Sequence, residues 1–557
     1  MLAAPACRPD DTGESDDPLE VTVTALGPLS YRLEFSTEAP TRATALWWEG
    51  EEEQPPARYA WVEDGEDADE QHDLHVFGLR PGLSYQALVR VESDDGRTAS
   101  SAPFTLTTQE ILPLPAHAPD DFADIALRTR VFCPRPDLID PGSVLATNLA
   151  ISADAQLSQV VIWDRRGHPV WTHFTTDETR AGSGDVDVRL VGEGAEDYRS
   201  DNASRALLVG GGIPADTRTA VVGLDHRVQQ EGPVQGAFIG EEGFMHHCAS
   251  LVDGVFVTLS TTLTEEGPSD WLVLHDGTFD PLVNADPRQG VLWDLVTLDA
   301  LRVGYFSNSL EWDPQAGLVY YYAKPEGILF ALDQRTRRTV WAFGPGVPHH
   351  SFSPEALLIG SVEDVAGCGE VWFTGAHHVT VDRVEGDRDS QVRVLAHDNG
   401  TRGVGAEPRD YTRAVEYRLD LDTGTAELLW CYPRGEPEAD ALEPLWYQVG
   451  IWGDIERAGD HVIFYSGEPW DEGTGIPTVS VIHELVPDYE THRATLAWRM
   501  ILEADDGQAE KIVPGFYSGQ AIPGLWGQAG GADLDFHRDR EEEPVLSSWS
   551  NAVAGGW

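Results

Sequence analysis

Residues 369–433 decide the fold of this chain and read GEVWFTGAHHVTVDRVEGDRDSQVRVLAHDNGTRGVGAEPRDYTRAVEYRLDLDTGTAELLWCYP. Apolar and polar residues alternate in three runs, and this alternation is typical of β-strands. The runs are separated by Asp-Asn-Gly and Asp-Thr-Gly, which are common turn sequences. The stretch therefore predicts one small antiparallel sheet. A histidine pair, His377 and His378, precedes it, and its loops carry polar residues suited to binding an anion.

The same unit recurs along the chain. In each copy an apolar strand leads to a polar turn and then to a second strand, which usually ends in tryptophan. The copies are VVIWDRRGHPVW (160–171), VVGLDHRVQQEGPV (221–234), LVLHDGTFDPLVNADPRQGVLW (272–293), ILFALDQRTRRTVW (328–341), VEYRLDLDTGTAELLW (415–430) and VIHELVPDYETHRATLAW (481–498). Further strand pairs precede most copies, so each unit predicts a four-stranded sheet.

Repeated four-stranded sheets close radially into a β-propeller. We predict an all-β protein in which residues 119–557 form a six-bladed propeller, with seven blades as the alternative count. Trp171, Trp293, Trp341, Trp430 and Trp498 should then occupy equivalent positions in their blades.

A separate unit precedes the repeats. Residues 19–109 contain short alternating strands divided by turns, a pattern that predicts a small β-sandwich. The stretch Leu79-Arg80-Pro81-Gly82-Leu83-Ser84-Tyr85 resembles the fibronectin type III pattern. That resemblance implies that the Tyr85 hydroxyl bonds back to the backbone at a corner of the sandwich. We assign no chemistry to this module.

Composition narrows the choice of partners. The chain has 557 residues and a formal net charge of −56, and of its 38 basic residues only Lys324 and Lys511 are lysine. A surface this acidic repels phosphate backbones, so we expect no nucleic-acid partner. An anionic substrate could bind only where arginines or histidines reverse the field locally, which makes arginines in pockets informative.

The N-terminus predicts export. Small residues precede Cys7 and an acidic tether follows it, within residues 1–18, as at the end of a bacterial lipoprotein signal. The positively charged start and apolar middle of such a signal are missing, so Cys7 as an ordinary cysteine stays open. We expect a periplasmic protein or a cell-surface or outer-membrane lipoprotein with a lipid anchor at Cys7. The five cysteines include no Cys-x-x-Cys motif, and their pairing cannot be read from the sequence.

Histidine pairs mark the candidate site. His246-His247 and His377-His378 both stand directly before hairpins, in matching positions of their repeats. Neighbours on a strand point to opposite faces, so at most one histidine of each pair can face a central channel. We expect no metal site, because no carboxylate or third ligand at fixed spacing accompanies the pairs. His349-His350 lies in a connection rich in proline and glycine and favours a solvated loop.

From about residue 245 to 498 the chain resembles the bacterial arylsulfotransferases that use phenolic sulfates as donors. The resemblance rests on SNSLEWDPQAGLVYYYAKPEGILFALDQRTRRTVWAFG (307–344), then on HDNGTRG, YTRAVEYRLD and LLWCYP in the family's order. It implies a β-sandwich followed by a six-bladed propeller, and an enzyme that moves a sulfuryl group from a phenolic sulfate to a phenol through a sulfohistidine. No cofactor is implied.

The resemblance also implies roles for individual residues. One histidine of His246 and His247 matches the family's first channel histidine, His378 matches the second, and Arg402 matches the arginine after Asp-Asn-Gly. With His461 these are the predicted catalytic residues. His377, Asn308 and Asn399 are predicted to bind the substrate. A guanidinium fork suits a trigonal sulfuryl group better than an ammonium does.

Departures from the family pattern leave a second hypothesis open. Cys248 stands where the family has an acid, and the last repeat reads Ser466-Gly467-Glu468-Pro469-Trp470, without the histidine that carries the sulfuryl group in the family. His461 lies at the other end of the strand before it, so the nucleophile is unidentified. The alternative function is a non-catalytic propeller that binds ligands at the cell surface or in the periplasm.

Overall fold

The fold was derived from a computed structural model, whose described residues run from 19 to 550 with gaps. The longer gaps comprise residues 114–125, 175–186, 192–205, 211–217, 234–242, 277–290, 295–306, 348–354, 401–408, 434–448, 470–478, 505–512 and 529–544. Cys7, the tether, His349-His350 and Arg402 lie outside the described residues. Within them, strands make up almost all regular structure, with one 3-10 turn at Pro136–Leu138 and no α-helix. None of the described segments is a helix that could cross a membrane.

The N-terminal unit is one strongly curled sheet. Its strand β2 is 20 residues long and pairs with four others, because its two halves have different partners. The strands are β1 (Thr22–Gly27), β2 (Ser30–Glu49), β3 (Ala60–Glu63), β4 (Asp69–Val76), β5 (Ser84–Ser93), β6 (Thr98–Ser100), β7 (Phe104–Thr107) and, from the far end of the chain, β38 (Gly527–Gln528). The buried Tyr85 hydroxyl accepts the Arg80 N–H at 2.9 Å, the bond to the backbone that the resemblance implied.

The first sheet of the repeat region joins distant parts of the chain. Its innermost strand is β37 (Val513–Ile522), which pairs with β10 (Val144–Ser152). Then follow β11 (Gln156–Trp163) and β12 (Pro169–Phe174). A strand near the C-terminus therefore completes a sheet that begins near residue 144.

The next sheets are each built from consecutive strands. The second contains β13 (Asp187–Val191), β14 (Ala206–Gly210), β15 (Arg218–Gly223) and β16 (Val228–Pro233), and the third contains β17 (Gly243–Cys248), β18 (Val255–Thr264), β19 (Gly267–Asp276) and β20 (Val291–Asp294). The fourth contains β21 (Ser307–Asp313), β22 (Leu318–Ala323), β23 (Ile328–Asp333) and β24 (Arg338–Phe343), with β25 (Leu357–Ile359) parallel to β24.

The fifth and sixth sheets hold most of the candidate site. The fifth contains β27 (His378–Asp382), β28 (Gln391–Asp398), β29 (Arg413–Asp420) and β30 (Thr425–Tyr432), with β26 (Val362–Asp364) parallel to β30. The sixth contains β32 (Asp454–Ala458), β33 (His461–Tyr465), β35 (Val479–Asp488) and β36 (Arg493–Ala504), extended by β9 (Ala126–Phe132), β39 (Val545–Ser550) and β8 (Leu112–Pro113). A short pair, β31 (Val449–Ile451) and β34 (Glu468–Pro469), stands apart.

In each of the six sheets of the repeat region, the strand named first above is here called the inner strand. The inner strands contact one another in the order β37, β13, β17, β21, β27 and β32, and β32 contacts β37 again. This is a β-propeller-like arrangement, and with the all-β content it confirms the coarse prediction. The number of blades, the fibronectin identity of the N-terminal unit and the domain limits remain predictions.

The repeated tryptophans occupy equivalent positions. Each tryptophan lies on the fourth strand of its sheet and pairs with a residue of the third strand. The register of the two strands shifts directly after that partner residue. The partner pairs are Trp171–Ile162, Trp293–Leu272, Trp341–Ala331, Trp430–Glu416 and Trp498–Glu484. A bulge increases the local twist of a sheet, so the tryptophan positions recur beside the register shifts where we expect stronger twist.

The N-terminal sheet shares a core with the first sheet. One apolar cluster contains Leu33, Trp47 and Val89 from the N-terminal sheet together with Ile162 and Trp171 from the first sheet. The Arg80 Nε atom lies 2.8 Å from the Asp164 Oδ2 atom across the same boundary. The N-terminal sheet is therefore packed onto the repeat region through apolar surface and an ion pair.

Candidate functional site

The starts of two neighbouring inner strands bring a histidine and an aspartate together. His378 opens β27 and Asp454 opens β32. The His378 Nε2 atom lies 3.3 Å from the Asp454 Oδ1 atom, and both side chains are almost completely buried. A buried carboxylate fixes the orientation of an imidazole and stabilises its protonated form.

Backbone groups hold the Asp454 carboxylate in place. Its Oδ1 atom accepts the N–H of Ile455 at 2.7 Å, and its Oδ2 atom accepts the N–H of Gly519 at 3.1 Å. Gly519 lies on β37, so this one carboxylate connects three successive inner strands. His377, directly before β27, donates from Nδ1 to the carbonyl oxygen of Gly453 at 3.0 Å. Its backbone N–H donates to the carbonyl oxygen of His397, also at 3.0 Å.

A third histidine, His397, completes the group. It is the cross-strand partner of His378, so the two side chains lie on one face of the fifth sheet. The His397 ring is fully buried, stacks on Phe464 at 4.7 Å and lies 3.2 Å through Nδ1 from the Asn399 Oδ1 atom. Burial lowers the pKa of His397 to about 4, so this imidazole is neutral at neutral pH.

The close approach of His397 requires a glycine at position 453, directly before the neighbouring inner strand β32. A Cβ atom on Gly453 would stand 2.3 Å from the His397 Nε2 atom, and Gly453 has a φ of 102°. Both facts make any other residue at this position unfavourable.

Two arginines share one buried carboxylate next to His397. The Arg413 Nε atom lies 2.9 Å from the Asp398 Oδ2 atom, and the Arg409 Nη2 atom lies 2.5 Å from the same oxygen. The Gly400 N–H also bonds Asp398, at 3.2 Å. Asp398 is fully buried. Its contacts with Arg409, Arg413 and the Gly400 N–H hold the turn that follows β28 in place.

Other predicted site residues are placed less completely. His246 and His247 lie on the inner strand β17, beside a shift in register, and their side chains fall outside the described residues. The same holds for Asn308 on the inner strand β21. The structure therefore puts these three backbones on inner strands, together with His378, while Arg402 is not described.

His461 is not brought to this group. It stands at the hairpin end of β33, opposite Ala458, whereas Asp454 pairs with Tyr465 at the other end. Four residues of strand span roughly 13 Å. The His461 Nδ1 atom lies 2.5 Å from the Glu484 Oε1 atom, and the Glu484 Oε2 atom lies 2.7 Å from Arg165 Nη1. We therefore correct the assignment of His461 as a site residue, because its ring belongs to this ion-pair network.

Carboxylates also connect the inner strands. Glu311 on β21 accepts the Val381 N–H of β27 at 2.7 Å, and Glu456 on β32 accepts the Ala521 N–H of β37. Ser309 adds a bond to the carbonyl oxygen of Val379 at 2.6 Å. Each of these residues occupies an inner strand and bonds the next one, so the acids have a structural use.

The sequence reasoning missed His397, Asp454 and Arg409. A signal for His397 was present, since alternation in QVRVLAHD and in HVTVD puts His397 and His378 at matching ends of a predicted hairpin. Asp454 and Arg409 have no such signal, because their partners are distant in sequence or lie across a loop.

The arrangement combines proton transfer with anion binding. A carboxylate-bound histidine and a neutral histidine are groups that serve as general acid, base or nucleophile. Arg413 and Asp398 are cross-strand partners one residue beyond His397, so the paired arginines supply positive charge at the same end of the fifth sheet but on its opposite face. No group of three or more metal-ligating side chains occurs among the residues that are described.

Comparison with known proteins supports the family resemblance. The family model described as arylsulfotransferase (ASST) matches residues 305–488, which contain His378, His397, Asp398, Arg409 and Asp454. The resemblance is thus confirmed for this part of the chain. No curated protein matches the chain.

Several solved structures are similar at low identity. A structural-genomics protein of unknown function from Bacteroides thetaiotaomicron has a TM-score of 0.32 and 10% identity, covering 88% of this chain and 99% of its own. A nidogen/laminin complex has a TM-score of 0.31 and 10% identity, covering 68% and 98%. Apo AztD from Citrobacter koseri has a TM-score of 0.22 and 10% identity, covering 88% and 99%. TM-scores this low carry no argument about function.

Proposed function

We propose that this protein, whose residues 305–488 match the arylsulfotransferase family, transfers a sulfuryl group from a phenolic sulfate to a phenol. The observation that carries the proposal is the position of the match. It covers the strands that hold the His378–Asp454 pair and the Asp398 arginines, which are the described groups able to move a proton and to bind an anion.

The proposed reaction has two displacements. In the first, a neutral imidazole nitrogen bonds to sulfur while the bond from sulfur to the aryl oxygen breaks, and the departing phenolate takes a proton from a general acid. In the second, a phenol gives up its proton to the same group, its oxygen bonds to sulfur, and the imidazole leaves. We assign the general acid and base to His378, because Asp454 stabilises its protonated form.

The nucleophile is assigned to His246 or His247. Both lie on the inner strand β17, whereas His461, the third predicted candidate, lies at the hairpin end of β33. Arg402 is proposed to stabilise the charge that grows on the sulfuryl oxygens. His377, Asn308 and Asn399 are proposed as substrate-binding residues.

A non-catalytic binding propeller is the second candidate. Residues 466–470 lack the histidine that the family uses in its last blade, and this observation favours a chain that kept the scaffold without the reaction. The two candidates differ in one measurable respect. Only the first requires that an acceptor phenol accelerate release of phenol from the donor.

The blade count, the N-terminal module and the export of the protein are proposed from the resemblance to the family. The ring of inner strands from β37 to β32 supports six blades within residues 119–557, and the Tyr85 bond supports a fibronectin-type module in residues 19–109. Export is supported by the disulfide between Cys368 and Cys431, because such bonds persist in oxidising compartments. A lipid anchor at Cys7 is part of this proposal.

The experiment is an assay of the purified full chain with phenyl sulfate, in the presence and absence of a second phenol. We expect faster release of phenol when the acceptor is present, with no added metal or nucleotide. His378→Ala should lower the rate by about a hundredfold to ten-thousandfold, the usual cost of losing a general acid. The control is His72→Gln, since His72 is also buried but lies in the N-terminal sheet.

Two results would contradict the proposal. One is the absence of acceptor-dependent release in the wild type, together with no protection of the fold by phenyl sulfate. The other is a His378→Ala rate equal to that of the control. The first result would support the binding propeller only if another ligand raised the unfolding temperature.

A further inference from the structure

We propose that Arg409 binds the oxyanion of the substrate's sulfate ester, at a subsite formed with Asp398 and Arg413. The identity of the ligand rests on the proposed function. The geometry of Arg409 indicates an anion whether or not the protein catalyses the reaction. Arg409 was not singled out by the sequence, where Arg402 was the predicted anion-binding arginine.

Arg409 is held at the turn after β28. Its backbone N–H donates to the carbonyl oxygen of Gly400 at 2.8 Å, and its Nη2 atom lies 2.5 Å from the Asp398 Oδ2 atom. Its side chain is only 9% exposed. The guanidinium is therefore fixed in a buried position beside the residue that follows His397.

The guanidinium has unused donors. The Nε, Nη1 and Nη2 atoms of Arg409 are buried, and none makes a well-directed hydrogen bond to an acceptor among the described residues. A guanidinium has five N–H donors, and leaving buried donors without acceptors destabilises the folded state. Native structures rarely retain such groups without a use, and a bound oxyanion would supply the acceptors.

The charge balance favours an anion as well. Arg413 already uses the same carboxylate, through Nε at 2.9 Å, and its Nη2 atom donates to the carbonyl oxygen of Trp372 at 2.9 Å. Two positive guanidiniums thus share this one buried carboxylate. Since buried charges are stable only when paired, a place where two cations share one acid favours a further negative ligand.

The chemistry of the site selects the anion. A planar fork of N–H groups matches two oxygens of a sulfate or sulfate ester. The chain carries a net charge of −56, which repels anions elsewhere, so binding would be confined to a place like this one. Asp398 directly follows His397, the partner of His378, so an anion on Arg409 would lie at the same end of the fifth sheet as the proposed acid, on the face that carries Asp398 and Arg413.

The test measures binding without turnover. The unfolding temperature of the full chain is followed against sodium sulfate and against phenyl sulfate, with sodium chloride at equal ionic strength as the reference. A ligand that binds only the folded state raises this temperature in a saturable way. We expect this rise for wild type and a dissociation constant about tenfold to a hundredfold higher for Arg409→Gln, the effect of losing charged hydrogen bonds.

Arg135→Gln is the matched control. Arg135 pairs with Asp137 through Nη2 at 2.8 Å as Arg409 pairs with Asp398, but it is exposed. Its variant should bind both ligands as wild type does. Arg409→Lys keeps the charge without the fork and should bind severalfold more weakly than wild type, which provides a second variant if Arg409→Gln fails to fold.

Each outcome decides the matter. Unchanged affinity in the Arg409 variants, or no saturable effect of either ligand on wild type, overturns the proposal. Loss of binding in those variants, with the control unaffected, supports it. If binding depends on Arg409 while the acceptor assay shows no turnover, the subsite stands and the sulfuryl-transfer proposal fails. Binding of sulfate alone, without phenyl sulfate, contradicts the assignment to an ester.

Discussion

The Asp454 carboxylate is the residue on which the geometry of the proposed acid depends. Its Oδ1 atom contacts the His378 ring and accepts the N–H of Ile455, the next residue on β32. Its Oδ2 atom accepts the N–H of Gly519 on the inner strand β37. A carboxylate held in this way can orient an imidazole without touching the substrate. We therefore regard Asp454 as a positioning residue.

Asp454→Asn tests this role. The amide keeps the size of the side chain but removes its charge and offers a donor where one of the N–H groups needs an acceptor. We expect kcat for phenol release to fall about a hundredfold, with KM for phenyl sulfate nearly unchanged, because the general acid loses its partner. A rise in KM at constant kcat would show instead that Asp454 contributes to ground-state binding.

The sequence placed candidate residues on strands, but it could not reveal contacts between distant segments. His378 was assigned from its position before a hairpin, and the structure places it at the start of an inner strand. His461 lies at the end of its strand that the sequence indicated, but its acidic partner, Glu484, is on the next strand of the sheet and could not be read from the sequence. Arg409 became apparent only through burial and charge in three dimensions.

At the scale of strands and turns, the fifth sheet is fastened by a covalent link. Cys368 lies in the connection that follows β26, and Cys431 lies on β30, next to Trp430. The bond joins residues 63 positions apart and holds the connection that leads into β27 against the outer strand. Cys133, by contrast, is a buried free thiol. With five cysteines and no Cys-x-x-Cys motif, this pairing could not be chosen from the sequence alone.

Removal of the link should destabilise the folded chain. We expect the double variant Cys368→Ser, Cys431→Ser to unfold with a free energy lower by about 2–4 kcal/mol, the typical contribution of a disulfide. Denaturation in urea, with and without a reducing agent, measures it. The reducing agent should lower the wild-type midpoint and leave that of the double variant unchanged. Equal responses in both proteins would contradict the assigned pairing.

The strands themselves were largely predictable. Alternation with a period of two fixed their positions, and the recurring tryptophans marked the fourth strand of each sheet, where the structure has a shift in register. What the pattern could not reveal is which strands close the arrangement. β37 completes the first sheet and β9 extends the sixth, and both pairings join segments more than 350 residues apart. Local sequence carries no signal for such pairing.

For the whole molecule, the boundary between the N-terminal sheet and the repeat region is built around histidines. His226, in the turn after β15, lies 2.9 Å through Nε2 from the Ser30 Oγ atom and stacks on Trp171 at 5.0 Å. The His173 ring contacts both of these rings, with centroid distances of 5.9 Å to Trp171 and 6.2 Å to His226. Burial lowers the pKa of His226 to about 3 and that of His173 to about 4.

These pKa values predict that the protein loses stability in mild acid. The unfolded chain takes up protons on both histidines as the pH falls below about 6.5, whereas the folded chain resists them until about pH 4 or lower. Each such proton costs the folded state about 1.4 kcal/mol per pH unit within that window. Stability is therefore unaffected by these groups above about pH 7 and falls with the pH below it.

His226→Asn tests the prediction. Asparagine tolerates the positive φ of 66° at this position and cannot take up the proton. We expect a lower unfolding temperature at neutral pH, from the lost stacking, and a shallower decline between about pH 6.5 and pH 4 than in wild type. The measurement is the unfolding temperature across this range, and an equally steep decline in both proteins would contradict the role of His226.

In the proposed reaction, a histidine of the repeat region carries the sulfuryl group between donor and acceptor. The most direct measurement is to mix the full chain with phenyl sulfate without acceptor, quench it in alkaline denaturant and map the modified residue by peptide mass spectrometry. The account predicts a sulfuryl group on His246 or His247, removed when a phenol is added before the quench. Modification of His461, or no modified histidine at all, would contradict it.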